Sequence, residues 1–268
     1  MKEITKKDLA ENLKRCVAYD GSWFDRSKPW IAAGPCVVES EEMIDKIGKA
    51  VITLGATAVR GGCFKPLTFP DKNMTRAVII NRLNWLRKLA FPVVTEIGQS
   101  VDIKLMDRVA VVQIGYRHMF NTDFIATNFR EKTILIKRHP GASLRDLAGV
   151  CEHYLSKWVR KIMVCERGIV APHTHNPNAR ALPDITAIAY WKRWFPQIPI
   201  IFDPSHSTFN RDIVIDMALA AIAAGADGLL VDVHHRRTEP EVDPLNALDY
   251  FEFELLMQKI NKLWSAIR

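Results

Sequence analysis

Short apolar runs alternate with longer amphipathic stretches along almost all of this 268-residue chain. Each run has the length and near-continuous hydrophobicity that is typical of a parallel strand covered on both faces. Eight such strands are predicted, over residues 30–38, 56–62, 92–97, 111–115, 133–138, 161–166, 200–202 and 228–233. The pattern therefore predicts an α/β protein that is built on a parallel sheet.

The stretches between these strands have helical periodicity. Helices are predicted over residues 40–54, 73–89, 101–109, 143–159, 183–195, 211–224 and 247–264. Ser143 suits an N-cap, Pro183 suits a first helical turn, and Gly225 suits a helix end. The strand count predicts a (β/α)8 TIM barrel over residues 30–268, with residues 1–29 as a short N-terminal extension. A doubly wound open sheet is the alternative.

Composition narrows the class of protein. No apolar run is long enough to span a bilayer, and the charged N-terminus lacks the apolar core of a secretory signal, so we expect a cytoplasmic protein without a membrane partner. Five cysteines without a C-x-x-C pair favour free thiols over a disulfide framework. The net charge of +7 is dispersed, which favours small phosphorylated or carboxylated partners over nucleic acid.

Residues just past the strands carry two chemically different sets, and (β/α)8 barrels place their chemistry at those C-terminal strand ends. The first set offers sulfur, nitrogen and oxygen donors that suit one divalent transition metal. It comprises Cys36, His206, Asp232 and Asp243. Taken singly, Cys36 could be a small core residue and the two aspartates could be helix caps or turn residues, so the spacing leaves both interpretations open.

The second set is cationic and comprises Arg60, Lys65, Arg117, Lys137 and Arg167. Five cations at one barrel mouth would repel one another unless an anionic ligand neutralised them, which indicates a substrate with phosphate and carboxylate groups. Solvated surface charge is the alternative, although it fits residues bounded by apolar strands and glycines poorly. The pair His173 and His175 suggests a further hypothesis, a metal-dependent hydrolase.

These strand ends together resemble a known family, type I 3-deoxy-D-arabino-heptulosonate 7-phosphate synthases, which share their barrel with 3-deoxy-D-manno-octulosonate 8-phosphate synthases. The motifs that carry the resemblance are Gly34-Pro35-Cys36, Arg60-Gly61-Gly62, Lys65-Pro66-x-Thr68, Gln113-Ile114-Gly115-x-Arg117, Cys165-Glu166-Arg167-Gly168, Asp203-Pro204-Ser205-His206-Ser207 and Val231-Asp232-Val233-His234. The resemblance implies a condensation of phosphoenolpyruvate with an aldose phosphate, first of all erythrose 4-phosphate. The products would be a 3-deoxy-ulosonate phosphate and inorganic phosphate, in the first step of the shikimate pathway.

The same resemblance assigns roles to individual residues. Cys36, His206, Asp232 and Asp243 fall on positions that bind a divalent ion (Mn²⁺, Zn²⁺, Co²⁺ or Fe²⁺), and the five cations fall on positions that hold phosphoenolpyruvate. Lys65 is also placed to protonate the developing alkoxide, so the implied catalytic residues are Lys65, Cys36 and His206. Thr68 lies in the motif that binds the aldose. Family members are also expected to be homodimers or homotetramers.

Two positions depart from the family pattern. Asp232 stands where a glutamate is usual, and Leu67 stands where an arginine normally helps to hold the aldose. A different aldose acceptor, or a non-catalytic relative that binds a metabolite, are therefore the alternatives. Arg138, Arg180 or Arg236 could compensate for the missing arginine.

Overall fold

The computed structural model describes residues 11–64, 75–172, 181–236 and 244–267. Eight parallel strands close into a barrel, in which each strand pairs with the next and β8 pairs with β1. The strands are β1 (Trp30–Gly34), β2 (Ala58–Arg60), β3 (Val93–Glu96), β4 (Val111–Ile114), β5 (Thr133–Lys137), β6 (Lys161–Glu166), β7 (Ile200–Phe202) and β8 (Gly228–Asp232). The predicted (β/α)8 barrel is thus confirmed.

Helices surround the barrel in the described segments. The α-helices are α1 (Lys14–Ala18), α2 (Glu41–Thr53), α3 (Arg76–Arg87), α4 (Thr122–Ala126), α5 (Leu144–Ser156), α6 (Ile185–Trp194), α7 (Pro204–Thr208), α8 (Val214–Ala223) and α9 (Tyr250–Ile267). Short 3₁₀ helices cover Ser100–Leu105, Tyr116–His118 and Arg211–Ile213. The predicted N-cap Ser143 is confirmed, because its hydroxyl accepts the backbone N–H of Asp146 in a capping box.

Several helices differ from the prediction. The helix predicted over 101–109 is a 3₁₀ helix. Pro183 precedes its helix instead of occupying the first turn, because the side chain of Asp184 caps α6 by accepting the N–H of Ala187 at 3.0 Å. Helix α4 was missed because five residues are too few to show a periodic pattern.

The barrel interior is a small apolar core of its own. Every strand contributes to it, through Ala32, Ala58, Val94, Val111, Leu135, Met163, Cys165, Ile201 and Leu230. Phe24, from the segment that precedes β1, joins this core, and Trp23 and Trp30 pack against it. The N-terminal segment therefore closes the barrel at the end where the strands begin.

Polar contacts hold that segment in place. The guanidinium of Arg26 donates to the carbonyl of Gln197 at 3.0 Å and lies 3.5 Å from the buried carboxylate of Asp227. The hydroxyl of Tyr19 donates to the carbonyl of Arg160 at 2.5 Å. The division into a 1–29 extension and a 30–268 barrel stays a prediction.

Two further expectations concern the chain as a whole. The five cysteines, all within the described segments, are buried free thiols. Among the described helices, none combines the length and apolar character needed to cross a membrane.

Candidate functional site

Three predicted metal ligands meet at the C-terminal ends of the strands. The Sγ atom of Cys36 lies 3.4 Å from Nε2 of His206, and the same nitrogen lies 3.7 Å from Oδ2 of Asp232. One donor atom from each residue falls within 4.8 Å of the others, and all three side chains are buried. Asp243, the fourth predicted ligand, lies outside the described residues.

Glycines bring the thiol of Cys36 into this cluster. A Cβ atom at Gly34 would collide with the carbonyl oxygen of Arg60, and one at Gly62 would collide with the carbonyl oxygen of Cys36. Gly34 also has a φ of +152°, a backbone conformation that favours glycine. The close approach of the β1 and β2 ends, which places Cys36, therefore requires these residues.

The imidazole of His206 is oriented by Asp203. Asp203 caps the short helix α7, and its Oδ1 accepts both the backbone N–H and the Nδ1 of His206, each at 3.0 Å. The other ring nitrogen, Nε2, therefore faces Cys36 and Asp232. A carboxylate that fixes the ring of a ligating histidine in this way is the usual arrangement in metal sites.

Asp203 is ionised although it is fully buried. Burial alone would raise the pKa of its carboxyl group, but the charges of His206, Lys137 and Arg60 outweigh burial and hold that pKa well below its ordinary value. Its second oxygen accepts the Nζ of Lys137 at 2.5 Å. The same carboxylate thus contacts a predicted metal ligand and a predicted substrate cation.

The carboxylate of Asp232 fits a metal ion as an additional partner. Its Oδ1 forms a buried ion pair with the guanidinium of Arg60, whereas its Oδ2 accepts no hydrogen bond from the described residues. Buried carboxylate oxygens without a donor are rare in native proteins. Together with the imidazole and thiol donors beside it, this carboxylate suits a divalent transition metal.

The structure brings together part of the predicted cationic set. Arg60, Lys137 and Arg167 are buried, whereas Arg117 is exposed. The guanidinium carbons of Arg117 and Arg167 lie 4.7 and 4.3 Å from the ring centroid of Tyr116, so these two cations share one aromatic ring. Lys65, Leu67, Thr68, His173, His175 and Arg180 lie outside the described residues.

A cavity of about 30 Å³ joins the two sets. Its lining includes Cys36, His206, Arg60 and Lys137, and also Glu96 and Gln113, to which sequence reasoning gave no role. The amide of Gln113 donates to the Glu96 carboxylate at 2.8 Å. Both residues lie at or next to the C-terminal end of a strand, β3 or β4, and this position could have predicted a place in the site.

Arg138 was proposed as a substitute for the missing arginine, and the structure argues against that role. Its guanidinium donates to Glu166 at 2.7 Å, to Asp184 at 2.9 Å and to the carbonyl of Ala142 at 2.9 Å. Burial raises the pKa of the Glu166 carboxyl, against the opposing charge of Arg138. The guanidinium is therefore committed to a structural network beside the site.

Comparison with known proteins decides the family. The sequence model of the DAHP synthetase I family matches residues 25–267. The chain belongs to the DAHP synthetase I family. It is accordingly a phosphoenolpyruvate-dependent enzyme that forms a carbon–carbon bond with an aldose phosphate.

Individual relatives agree with this family. Phospho-2-dehydro-3-deoxyheptonate aldolase of Thermotoga maritima is 33% identical over 243 residues, which cover 88% of this chain and 70% of the relative. The crystal structure of that DAHP synthase has a TM-score of 0.80, over 90% of this chain and 70% of the other. A truncated form of the T. maritima synthase has a TM-score of 0.78 at 32% identity, over 90% of this chain and 88% of the other. A 2-dehydro-3-deoxyphosphooctonate aldolase of Francisella tularensis is 26% identical over 88% of this chain and 92% of its own length.

Proposed function

We propose that this member of the DAHP synthetase I family condenses phosphoenolpyruvate with erythrose 4-phosphate in a metal-dependent reaction, as the first step of the shikimate pathway. One observation supports this most directly: Cys36 and His206 line the same cavity as Arg60 and Lys137. Groups that suit a metal ion and groups that suit an anionic substrate are therefore in contact with one space. In an aldol-type condensation of a phosphorylated enol, anion-binding groups would hold the enol and metal-binding groups would hold the ion that polarises the aldehyde.

Phosphoenolpyruvate is the substrate that the cationic set suits, and three of its members, Arg60, Lys137 and Arg167, are buried. Its phosphate and carboxylate groups would be held by Arg60, Lys65, Arg117, Lys137 and Arg167. A guanidinium has five N–H donors in a planar fork, so Arg60 can contact Asp232 and a substrate oxygen at the same time. Burial strengthens these interactions because the local dielectric is low. The cations would fix the enol in one orientation, which lowers the entropic part of the barrier.

Cys36, His206 and Asp232 fit a divalent metal ion, with Asp243 as the predicted fourth ligand. When bound, such an ion supplies a Lewis acid for the aldehyde oxygen. C3 of the enol forms the new bond to the aldehyde carbon, a water molecule adds at C2, and inorganic phosphate leaves. Lys65 is the proposed donor of the proton that the developing alkoxide takes up.

Two aldose phosphates are candidates for the acceptor in this reaction. The T. maritima relative, a DAHP synthase, favours erythrose 4-phosphate. Leu67 favours a different aldose, because the family's arginine is absent there. The octulosonate relatives at 26% identity make arabinose 5-phosphate the natural second substrate to test.

The experiment is phosphate release from phosphoenolpyruvate by the metal-loaded protein, in parallel with erythrose 4-phosphate, arabinose 5-phosphate and no aldose. We expect release that requires both metal and erythrose 4-phosphate. Release with arabinose 5-phosphate only would make Leu67 a specificity determinant and overturn the proposed acceptor. A protein that binds metal and phosphoenolpyruvate but releases no phosphate with either aldose would be the non-catalytic relative.

A further inference from the structure

The opposite end of the barrel carries a groove that the proposed reaction does not use. It has a volume of about 490 Å³ and lies between the segments that lead into β5 and β6. Its lining comprises Arg130, Glu131, Lys132, Trp158, Arg160 and Lys161. All strands are parallel and begin at this face, so the groove and the catalytic mouth lie at opposite ends of the barrel.

Trp158 has an unusual backbone conformation at the end of α5. Its φ is +67°, in the left-handed region that bulky residues rarely adopt. Its N–H donates to the carbonyl of Leu155 at 3.1 Å, and the N–H of Val159 donates to the carbonyl of Tyr154 at 3.2 Å. This pair of bonds is a Schellman motif, in which the left-handed position normally holds glycine.

Two other helices of the same chain end in this motif with glycine. Gly55 follows α2 with a φ of +104°, and Gly225 follows α8 with a φ of +105°. In both, the glycine and the next residue make the same two backbone hydrogen bonds. Helix termination alone therefore does not call for tryptophan at position 158.

The indole of Trp158 is also poorly packed. Its residue is 57% exposed, and the guanidinium carbon of Arg160 lies 4.6 Å from the ring centroid. A strained backbone that presents a large aromatic ring to solvent indicates a role beyond the fold. The ring keeps a free surface on which another planar group can stack.

The charges around this ring are strongly unbalanced. The lining contains one carboxylate, that of Glu131, and four cations, which are Arg130, Lys132, Arg160 and Lys161. Two of the cationic segments are fixed by hydrogen bonds: Lys132 donates to the carbonyl of Met106 at 2.6 Å, and the carbonyl of Arg160 accepts from Tyr19 at 2.5 Å. A ligand with several negative charges matches this surface better than a monoanion does.

We propose that this groove binds a nucleoside polyphosphate. The base stacks on the exposed ring of Trp158, and the phosphates pair with Arg130, Lys132 and Lys161. Stacking on an aromatic platform beside cations is how proteins hold nucleotides without reading the base. The groove also has the volume of a small-molecule site.

Calorimetric titration of the full chain with ADP tests the proposal, in the absence and presence of saturating phosphoenolpyruvate. We expect ADP to bind equally in both conditions, because the two sites lie at opposite ends of the barrel. Pyrophosphate carries charge without the ring, and adenosine carries the ring without charge. Pyrophosphate should bind at least about fivefold more weakly than ADP, the factor expected for one stacked base. Adenosine should also bind more weakly than ADP, because it lacks the phosphates that pair with the cations.

The variant Trp158→Gly separates binding from folding, because glycine suits the left-handed position. We expect it to unfold at the same temperature as the parent chain or higher, and to bind ADP about as weakly as pyrophosphate. Tyr190→Ala, which removes another exposed aromatic residue, is the matched control and should bind ADP normally.

Three results would overturn the proposal. They are an absence of ADP binding at millimolar concentration, ADP binding that Trp158→Gly leaves unchanged, and ADP binding that phosphoenolpyruvate abolishes. A change of oligomeric state in Trp158→Gly, without ADP binding by the parent chain, would assign the ring to an interface between copies instead.

Discussion

Lys137, at the end of β5, donates a hydrogen bond to Asp203, which follows β7, and Nζ and Oδ2 lie 2.5 Å apart. The strand between them, β6, ends next to both. Because Asp203 also holds the imidazole of His206, one buried carboxylate connects the proposed substrate site with the proposed metal site. A change at either site should therefore be felt at the other.

The first prediction concerns this connection. Asp203→Asn removes the charge that Lys137 contacts and weakens the hold on His206. We expect the affinity for Mn²⁺ or Co²⁺ to fall about 10- to 100-fold, as for other partners of ligating histidines. Calorimetric metal titration measures the affinity, and circular dichroism verifies that the protein is folded.

Asp227→Asn is the matched control for Asp203→Asn. Asp227 is equally buried, and its carboxylate also accepts a hydrogen bond from a lysine, Nζ of Lys192 at 2.8 Å. It immediately precedes β8, at the end of the barrel opposite to the proposed site. Both variants should lose stability, and Asp203→Asn should lose about 3 kcal/mol or more because it leaves the buried cation of Lys137 without its partner. Equal loss of metal affinity in the two variants would show that Asp203 acts only through stability.

The second prediction concerns the thiol ligand. Cys36→Ser should abolish the thiolate-to-cobalt absorption band of the Co²⁺-loaded protein, because no other described thiol belongs to the cluster. Cys63→Ser is the control and should keep the band. Burial raises the pKa of the Cys63 thiol to about 12, and its Sγ does not belong to the cluster of donor atoms. Retention of the band in Cys36→Ser would remove Cys36 from the metal site.

A third prediction separates substrate binding from fold. Lys137→Met removes a buried cation from the cavity. We expect the KM for phosphoenolpyruvate to rise about tenfold or more, the cost of one charge-assisted contact. Steady-state kinetics measure it. Lys88→Met, which removes a lysine that pairs with Glu41 on the surface, should leave KM unchanged. An unchanged KM in Lys137→Met would contradict the proposed substrate role.

The fourth prediction is a pH dependence of stability at Glu166. Burial raises the pKa of this carboxyl above its value in the unfolded chain, about 4.3. The folded state therefore holds the proton more tightly, and the stability that this provides is complete below the unfolded pKa and is lost as pH rises through the folded pKa. Relative to Glu166→Gln, the parent chain should lose stability as pH rises from about 4.

Urea unfolding of both proteins between pH 4 and 7 measures this difference. Asp146→Asn provides a contrast of opposite sign, because hydrogen bonds from Ser143 lower the pKa of the Asp146 carboxyl. The stability contributed by Asp146 is present above its unfolded pKa and is lost as pH falls. A constant difference between the parent chain and Glu166→Gln across this range would contradict the raised pKa.

The barrel could be predicted from the sequence because its strands are buried on both faces and therefore appear as apolar runs. Strand β6 was predicted with its observed limits, Lys161–Glu166. Strand β1 was predicted four residues too long, because Gly34-Pro35-Cys36 is as apolar as the strand before it. Hydrophobicity does not show that Pro35 lacks the N–H that would continue the ladder.

The cluster of Cys36, His206 and Asp232 was anticipated from donor chemistry at strand ends, whereas the positions of its neighbours were not. Asp203 was placed only within a family motif and was given no role, although aspartate followed by proline is how many helices begin, and α7 begins there. Arg138, in contrast, was given a possible role in substrate binding that the structure does not support. It adjoins Lys137 in sequence, but its partners, Glu166 and Asp184, come from distant segments that the sequence does not place beside it.

The packing of Phe24 has a consequence for how the protein forms during synthesis. The core that receives its ring is built by side chains from all eight strands, from Ala32 on β1 to Leu230 on β8. That core is incomplete until the last strand has left the ribosome and closed the circle. The segment around Phe24 is translated before every strand of the barrel, yet it can complete its packing only after β8 has joined the sheet, and a ribosome-bound chain that stops before β8 leaves this end of its barrel open to water.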